Sequence, residues 1–586
     1  MRDFFKFMLA SMLGFILIGL IIFFISLGLL IGLMSYVEQQ EVLVQENTVI
    51  RIDLKDPVPE RTPKEDMLSG IATGSFKTIL GLNDILSNIS DAKEDDNIKG
   101  IILNVNIVPT GISTLEEIRK ALLDFKESGK FVLCYGEYMT QAGYYIGSVA
   151  DEVYLHPGGF IDFKGLNANV MFIKGLLDKL DINMQIVRHG KFKSAVEPLM
   201  QKEMSPANRE QYATFINAIW GSMLDQISLT RGLSVNELNS IADGLQSYDA
   251  DEALNKGLVD DIVDRPGYRK VLKKKMNVED LDEINIISLN QYSRVMKTFS
   301  LSKDKIAVIY ATGSIGSGMG SNKEIGADKF AETIAKVTGD ESVKAVVLRV
   351  NSPGGDALAS DIIWRELDLL NVKKPVIISM GDVAASGGYW ISCASDKILA
   401  NSTTLTGSIG VFGVIPDFGL FMENKLGITY DRVATNEHSG FPAIMRPLDS
   451  FEQQVLQNKV EKVYDLFLLR VSNNRDMTEE EVDKIGEGRI WSGVDALEIG
   501  LIDAHGGLTA SINLAAEIAG LEDYRVIELP VLKDPLVQMF EDMSEGVYTT
   551  ALKSELGPFY HDYTQIQSVL KWEGVQARLP YQLYID

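Results

Sequence analysis

Cysteine and histidine are scarce in this chain, at two and five of 586 residues. There is no Cys-x-x-Cys and no His/Cys cluster, so a metal site has no recognisable ligand set. Cys134 and Cys393 each sit beside apolar residues, and buried thiols are expected rather than a disulfide. Basic residues are also in deficit: 56 Lys and Arg stand against 81 Asp and Glu, for a net charge of −25. Phosphate backbones are bound by clustered cations, so a nucleic-acid partner is not expected. The glycine-rich run 313–320 lacks the Gly-Lys-Ser/Thr ending of a phosphate loop and is expected to be a substrate-side loop or a plain turn. No cofactor and no metal are called for.

Charge is absent altogether from residues 7–37, which are mostly Leu, Ile, Phe, Met and Gly. About 20 apolar residues span the hydrocarbon core, and this run is long enough even with tilt. Its apolar length exceeds that of a cleaved signal peptide, so residues 7–36 are expected to form one uncleaved transmembrane anchor. Arg2 and Lys6 precede the run, while Glu38, Glu41 and Glu46 follow it. The basic flank stays cytoplasmic by the positive-inside rule, which sends the rest of the chain across the membrane.

The remainder reads as one unit repeated. Residues 98–106 (IKGIILNVN) match 343–351 (VKAVVLRVN), and residues 150–155 match 395–400, both at an offset of 245. Residues 253–260 match 496–503 at 243. Matches in order at nearly fixed spacing indicate duplication of a whole domain. Short Val/Ile-rich runs alternate with amphipathic stretches such as 357–370, which predicts an α/β fold with mainly parallel sheets. The expected layout is a first repeat over 48–264, a charged connector over 265–303 and a second repeat over 304–520. The tail over 521–586 has no readable role.

The copies differ where chemistry would sit. The second has Val383-Ala384-Ala385-Ser386-Gly387-Gly388, after a buried strand and a turn expected at Gly381-Asp382. The first has Gln141-Ala142-Gly143-Tyr144-Tyr145 there, with no serine. A serine opening a helix lies beside free N–H groups and the positive dipole end, which a forming oxyanion requires. The Gly387 N–H is one such donor. The same small residues also suit tight helix–sheet packing, and the motif alone leaves both readings open. Asn351-Ser352-Pro353-Gly354-Gly355 ends another buried strand, and Gly355 offers a second donor. The first copy has Ile107-Val108-Pro109-Thr110-Gly111 at that place, without the glycine pair.

The first copy supplies Lys191-Phe192-Lys193-Ser194-Ala195-Val196-Glu197-Pro198 instead. The second has no lysine between Lys425 and Lys459. A lysine takes a proton from a serine only when neutral, and burial favours the neutral form. Phe192, Ala195, Val196 and Leu199 permit such a site around Lys193, whereas Lys191 is expected at the surface. Ser408, in Thr406-Gly407-Ser408-Ile409-Gly410, either orients that lysine or simply forms a turn. His438 is the best histidine for a competing triad.

Together these motifs resemble the long, duplicated form of the signal peptide peptidase A family of membrane-anchored serine proteases, from the anchor to about residue 520. The resemblance implies tandem Clp-protease/crotonase-like domains, with Ser386 as nucleophile, Lys193 as general base and Ser408 as the supporting hydroxyl. It also implies a homotetrameric bowl receiving signal-peptide remnants. The expected location is the bacterial inner membrane, with the catalytic part on its periplasmic side. Two other readings remain: a crotonase-type acyl-CoA enzyme, and a non-catalytic envelope scaffold that uses the repeat for oligomerisation.

Overall fold

The structure, a computed structural model, describes residues 2–38, 44–63, 79–295, 301–532 and 575–579. The rest of the tail, and residues 296–300 of the connector, lie outside the described residues. The helix Arg2–Glu38 carries the uncharged run and is, among the described residues, the one helix long and apolar enough to cross a membrane.

Each copy builds a mainly parallel sheet from its Val/Ile-rich runs, the pairing of Leu405–Gly407 with Ile490–Ser492 being antiparallel. In the first sheet the order is Asp261–Ile262, Glu152–Ile161, Phe131–Met139, Ile98–Asn104, Thr48–Asp53, Asn285–Ser288, with every pairing parallel. The second runs Ile490–Ser492, Leu405–Gly407, Val376–Ala385, Val343–Ser352, Lys305–Thr312, Arg525–Leu529. Its inner strands Val376–Ala385 and Val343–Ser352 are mostly apolar and buried, as strands covered on both faces are. The duplication extends to single hydrogen bonds. The Tyr144 hydroxyl donates to the Leu258 carbonyl, and that of Tyr389 to the Leu501 carbonyl, each at 2.9 Å.

Three expectations need correction. Asn285–Ser288, assigned to the connector, pairs with Thr48–Asp53 as the edge of the first sheet. Arg525–Leu529, assigned to the tail, pairs with Lys305–Thr312 at the equivalent edge of the second. Each repeat therefore closes with a strand whose alternating exposure hid it from a reading based on apolar runs. The glycine-rich run is not a free loop: Ser314–Gly316 and Gly320–Ser321 are strands of a third sheet. That sheet is ordered Gly320–Ser321, Glu324–Gly326, Ser314–Gly316, Gly354–Asp356, Val575–Arg578, Phe412–Asp417, Asn183–Arg188. It joins a strand of the first copy to strands of the second.

The copies share one interior. A continuous apolar core runs from Ile50, Leu103 and Tyr144 into Ile306, Val347 and Ile377. The helix Ile112–Lys126 of the first copy lies against the second along its polar face. Glu116 accepts from the Ser402 and Thr403 hydroxyls at 2.8 and 3.0 Å. Glu117 meets Arg349 at 2.8 Å, and Glu60 meets the same guanidinium at 2.7 Å. All three charges are buried. Such a cluster is stable only when each member is paired, which fixes the mutual position of the two copies.

Candidate active site

Ser386 stands between the strand Val376–Ala385 and the helix Gly387–Ser392. No turn opens at Gly381-Asp382; the strand continues through both residues to Ala385. The expected break is absent because Asp382 is held from the other copy. It accepts from the Thr114 N–H and hydroxyl at the start of the helix Ile112–Lys126, a helix end that favours a carboxylate. The turn falls on Ser386 itself, whose φ of +56° is uncommon for a side chain larger than glycine's. Sharp strand–helix turns of this kind lift a nucleophile clear of its sheet.

Lys193 reaches the serine from the first copy. The strand Asn183–Arg188 pairs antiparallel with Phe412–Asp417 and delivers the chain alongside the second copy. Phe192 N–H then donates to the Glu487 carbonyl at 3.0 Å. Gln211 holds the bend by donating to the Phe192 carbonyl and the Ser194 hydroxyl. Space for the lysine comes from Gly488, where an added Cβ would fall 2.6 Å from the Lys193 Cβ. Lys191, two residues earlier, is exposed and pairs with Glu487.

Lys193 Nζ lies 2.8 Å from Ser386 Oγ, 3.0 Å from Ser408 Oγ and 3.1 Å from the Ser408 carbonyl oxygen. All three side chains are fully buried. Among the described residues no carboxylate hydrogen-bonds the amine, and burial drives its pKa well below the usual 10.5. Ser408 is held at φ +51°, and its hydroxyl also donates to the Gly488 carbonyl at 3.3 Å.

The backbone donors converge on the same place. A Cβ on Gly387 would fall 3.1 Å from the Gly355 nitrogen, and one on Gly354 would fall 2.6 Å from the Gly387 nitrogen. Gly354 has φ +93°, so its lack of a side chain is required both by conformation and by space. Asn351 ties the two loops together. Its amide donates to Glu60 at 2.7 Å and its carbonyl oxygen accepts from the Val383 N–H at 3.2 Å.

The first copy's equivalent positions serve other purposes. Gln141 accepts from the Lys164 and Gly165 N–H groups. His438 lies 3.3 Å from Glu452, which Arg446 grips with two bonds at 2.7 Å, and so stands in a separate ionic cluster. Burial pushes the Cys134 and Cys393 thiols up to about 12, so both are poor nucleophiles. Sequence reasoning missed Glu60, Glu117 and Asp382. Arg349, a charge inside the apolar run 345–350, was the available signal that buried acids must lie nearby.

Residues 124–279 and 368–522 match the model of peptidase family S49, and these spans contain Lys193 and Ser386. The chain is 38% identical over 457 residues to "Protease 4" of Salmonella typhi, covering 76% of this chain and 73% of that one. It is 32% identical over 541 residues to "Protease 4" of Haemophilus influenzae, covering 89% and 85%. It is 33% identical over 514 residues to "Serine protease SPPA, chloroplastic" of Arabidopsis thaliana, covering 86% and 75%. A duplicated α/β chain matched by one family model in both halves, and by these relatives over most of its length, belongs to peptidase family S49.

Proposed function

We propose that the serine endopeptidase activity of this chain runs on a Ser386/Lys193 dyad assembled from its two repeats. The observation that carries this reading is the 2.8 Å approach of a fully buried Lys193 amine to the Ser386 hydroxyl. A neutral amine has two N–H donors and one lone pair. The Ser408 hydroxyl and carbonyl take the two donors, which turns the lone pair toward Ser386.

Lys193 takes the Ser386 proton as Oγ attacks the peptide carbonyl. The Gly355 and Gly387 N–H groups receive the oxyanion. The lysine ammonium then protonates the leaving amine, and water repeats the cycle on the ester. No step calls for a metal or an organic cofactor.

The finer reading concerns setting. The helix Arg2–Glu38 anchors the chain as a single pass, with its basic flank cytoplasmic and both repeats on the outer side of a bacterial inner membrane. Substrates are peptides associated with that membrane, such as remnants of cleaved signal peptides, and the working unit is a homotetramer. Labelling with a fluorophosphonate tests the dyad. Wild type is expected to label on Ser386, while Ser386→Ala and Lys193→Ala lose at least about 10³-fold in peptide hydrolysis. Turnover near wild type in either variant would remove the dyad from consideration.

A further inference from the structure

A neutral lysine has no ion pair to hold it, so its position depends on the backbone that carries it. Residues 192–194 are held one by one. Gln211 donates to the Phe192 carbonyl at 3.1 Å and to the Ser194 hydroxyl at 2.8 Å. Arg188 donates to the Lys193 carbonyl at 3.3 Å. Both holders lead back to one carboxylate, that of Glu197. The Arg188 guanidinium lies 3.9 Å from Glu197 Oε1. Glu197 Oε2 accepts from the Asn208 amide at 2.8 Å, and Asn208 Oδ1 accepts in turn from Gln211 at 3.0 Å. Glu197 is itself fixed at the start of the helix Pro206–Arg231, where the Ser205 hydroxyl donates to it at 2.6 Å and the Ser205 N–H at 3.2 Å. Glu197, Asn208 and Gln211 are all buried. The other ion pairs on this bend, Lys191 with Glu487 and Arg489 with Glu210, each have an exposed member.

A carboxylate only accepts, whereas a carboxamide has an acceptor at one end and donors at the other. Glu197 therefore takes the Asn208 NH2, which leaves the Asn208 oxygen for the Gln211 NH2. That in turn points the Gln211 oxygen at the Ile490 N–H, 3.3 Å away. Ile490 pairs with Gly407, the residue before Ser408. One acid at the end of the chain thus sets which way both amides face. We infer that Glu197 is a positioning residue for the reaction: through Asn208, Gln211 and Arg188 it holds the main chain of residues 192–194 so that the Lys193 amine meets Ser386 and Ser408. The inference rests on the dyad proposed above. In Glu197→Gln both amides are free to turn over. The bend then loosens, and water reaches an amine that burial keeps neutral.

Peptide hydrolysis by the full chain in detergent is followed across pH, per folded molecule as judged by circular dichroism. Glu197→Gln is expected to lose about 10²-fold in kcat with little change in KM, the effect of moving a reacting group by about 1 Å. The inflection of kcat/KM against pH is expected to move up toward 10.5. Gln211→Met leaves Glu197 its Ser205 and Asn208 donors and decides the matter should Glu197→Gln not fold. It is expected to show the same split and the same direction of shift. Combining the two should cost no more than the worse single change, since both act through one chain of hydrogen bonds; additive losses overturn that chain. An inflection that stays at the wild-type position in the variants, or a loss confined to KM or to the folded fraction, overturns the inference and spares the dyad. Failure of both variants to fold also overturns it, because the network is then part of the fold alone. A wild type without an inflection refutes the dyad and the inference together.

Discussion

Thr114 of the first repeat donates to Asp382 of the second twice, from its backbone N–H at 3.0 Å and its hydroxyl at 2.7 Å. Gly111 makes the approach possible, because a Cβ there would fall 2.2 Å from the Asp382 carboxyl carbon. The first repeat's loop 107–111 stands where the second has the glycines proposed to receive the oxyanion. In the first repeat the loop is a dock. It leads a helix end onto the strand that ends at Ser386, and the same helix brings Glu117 to Arg349. The contact that joins the repeats therefore also braces the strand leading to Ser386, the proposed nucleophile.

Breaking the charge cluster beneath that dock should be costly. Arg349→Met leaves Glu60 and Glu117 buried without their cation, and removing one member of a buried ion cluster costs about 3–5 kcal/mol. Adding Glu60→Gln and Glu117→Gln should recover much of that loss. Urea denaturation of the three-site variant against Arg349→Met checks this. Equal stabilities would mean that the cluster does not hold the repeats together.

The lysine dictates a pH profile. Only neutral Lys193 accepts the serine proton, so kcat/KM should rise with pH, with unit slope, and level off. The inflection should lie well below 10.5, because burial lowers this pKa. Lys193→Arg should be inactive at every pH, since a guanidinium does not deprotonate. The rate of Ser386 acylation by a fluorophosphonate should trace the same curve. A rate independent of pH across the neutral range would assign the proton to another group.

How much of this was legible follows from where each signal resides. Ser386 and Lys193 stood out because one copy had what the other lacked, a contrast internal to the sequence. The central strands were legible from unbroken Val/Ile runs. The edge strands Asn285–Ser288 and Arg525–Leu529 were not, since most of their residues are only partly buried or exposed and their pairing partners lie far away in sequence. Val575–Arg578 was invisible for a related reason: it is a strand only because two separate edges receive it. Asp382 was misread as a turn former because its partner, Thr114, belongs to the other repeat.

The glycines around Ser386 set a geometric limit. A Cβ on Gly355 would fall 2.0 Å from the Ile315 carbonyl oxygen, which is backbone and has no rotamer to yield. Gly355→Ala should therefore displace the loop that carries its N–H. Loss of one oxyanion donor costs about 10²–10³-fold in kcat. KM should change far less, and Ser386 should still be buried beside Lys193. Steady-state kinetics on one peptide would show the split; a pure KM effect would place Gly355 in substrate binding alone.

Lys193 should also weaken the fold it serves. In the folded chain the amine stays neutral well below 10.5, whereas in the unfolded chain it is protonated there. Between the folded and unfolded pKa values the unfolded state binds the extra proton, so its share of stability falls as pH falls and is restored as pH approaches 10.5. Lys193→Met keeps the apolar stem and removes the titrating group. It should abolish hydrolysis yet raise Tm by several degrees near pH 7, and the gain should shrink steadily toward pH 10. The two lost contacts to Ser408 subtract a constant amount, so the slope of the difference against pH is the diagnostic quantity. Thermal unfolding of both proteins across that range measures it, and a difference that stays flat with pH would mean that Lys193 is charged in the folded enzyme.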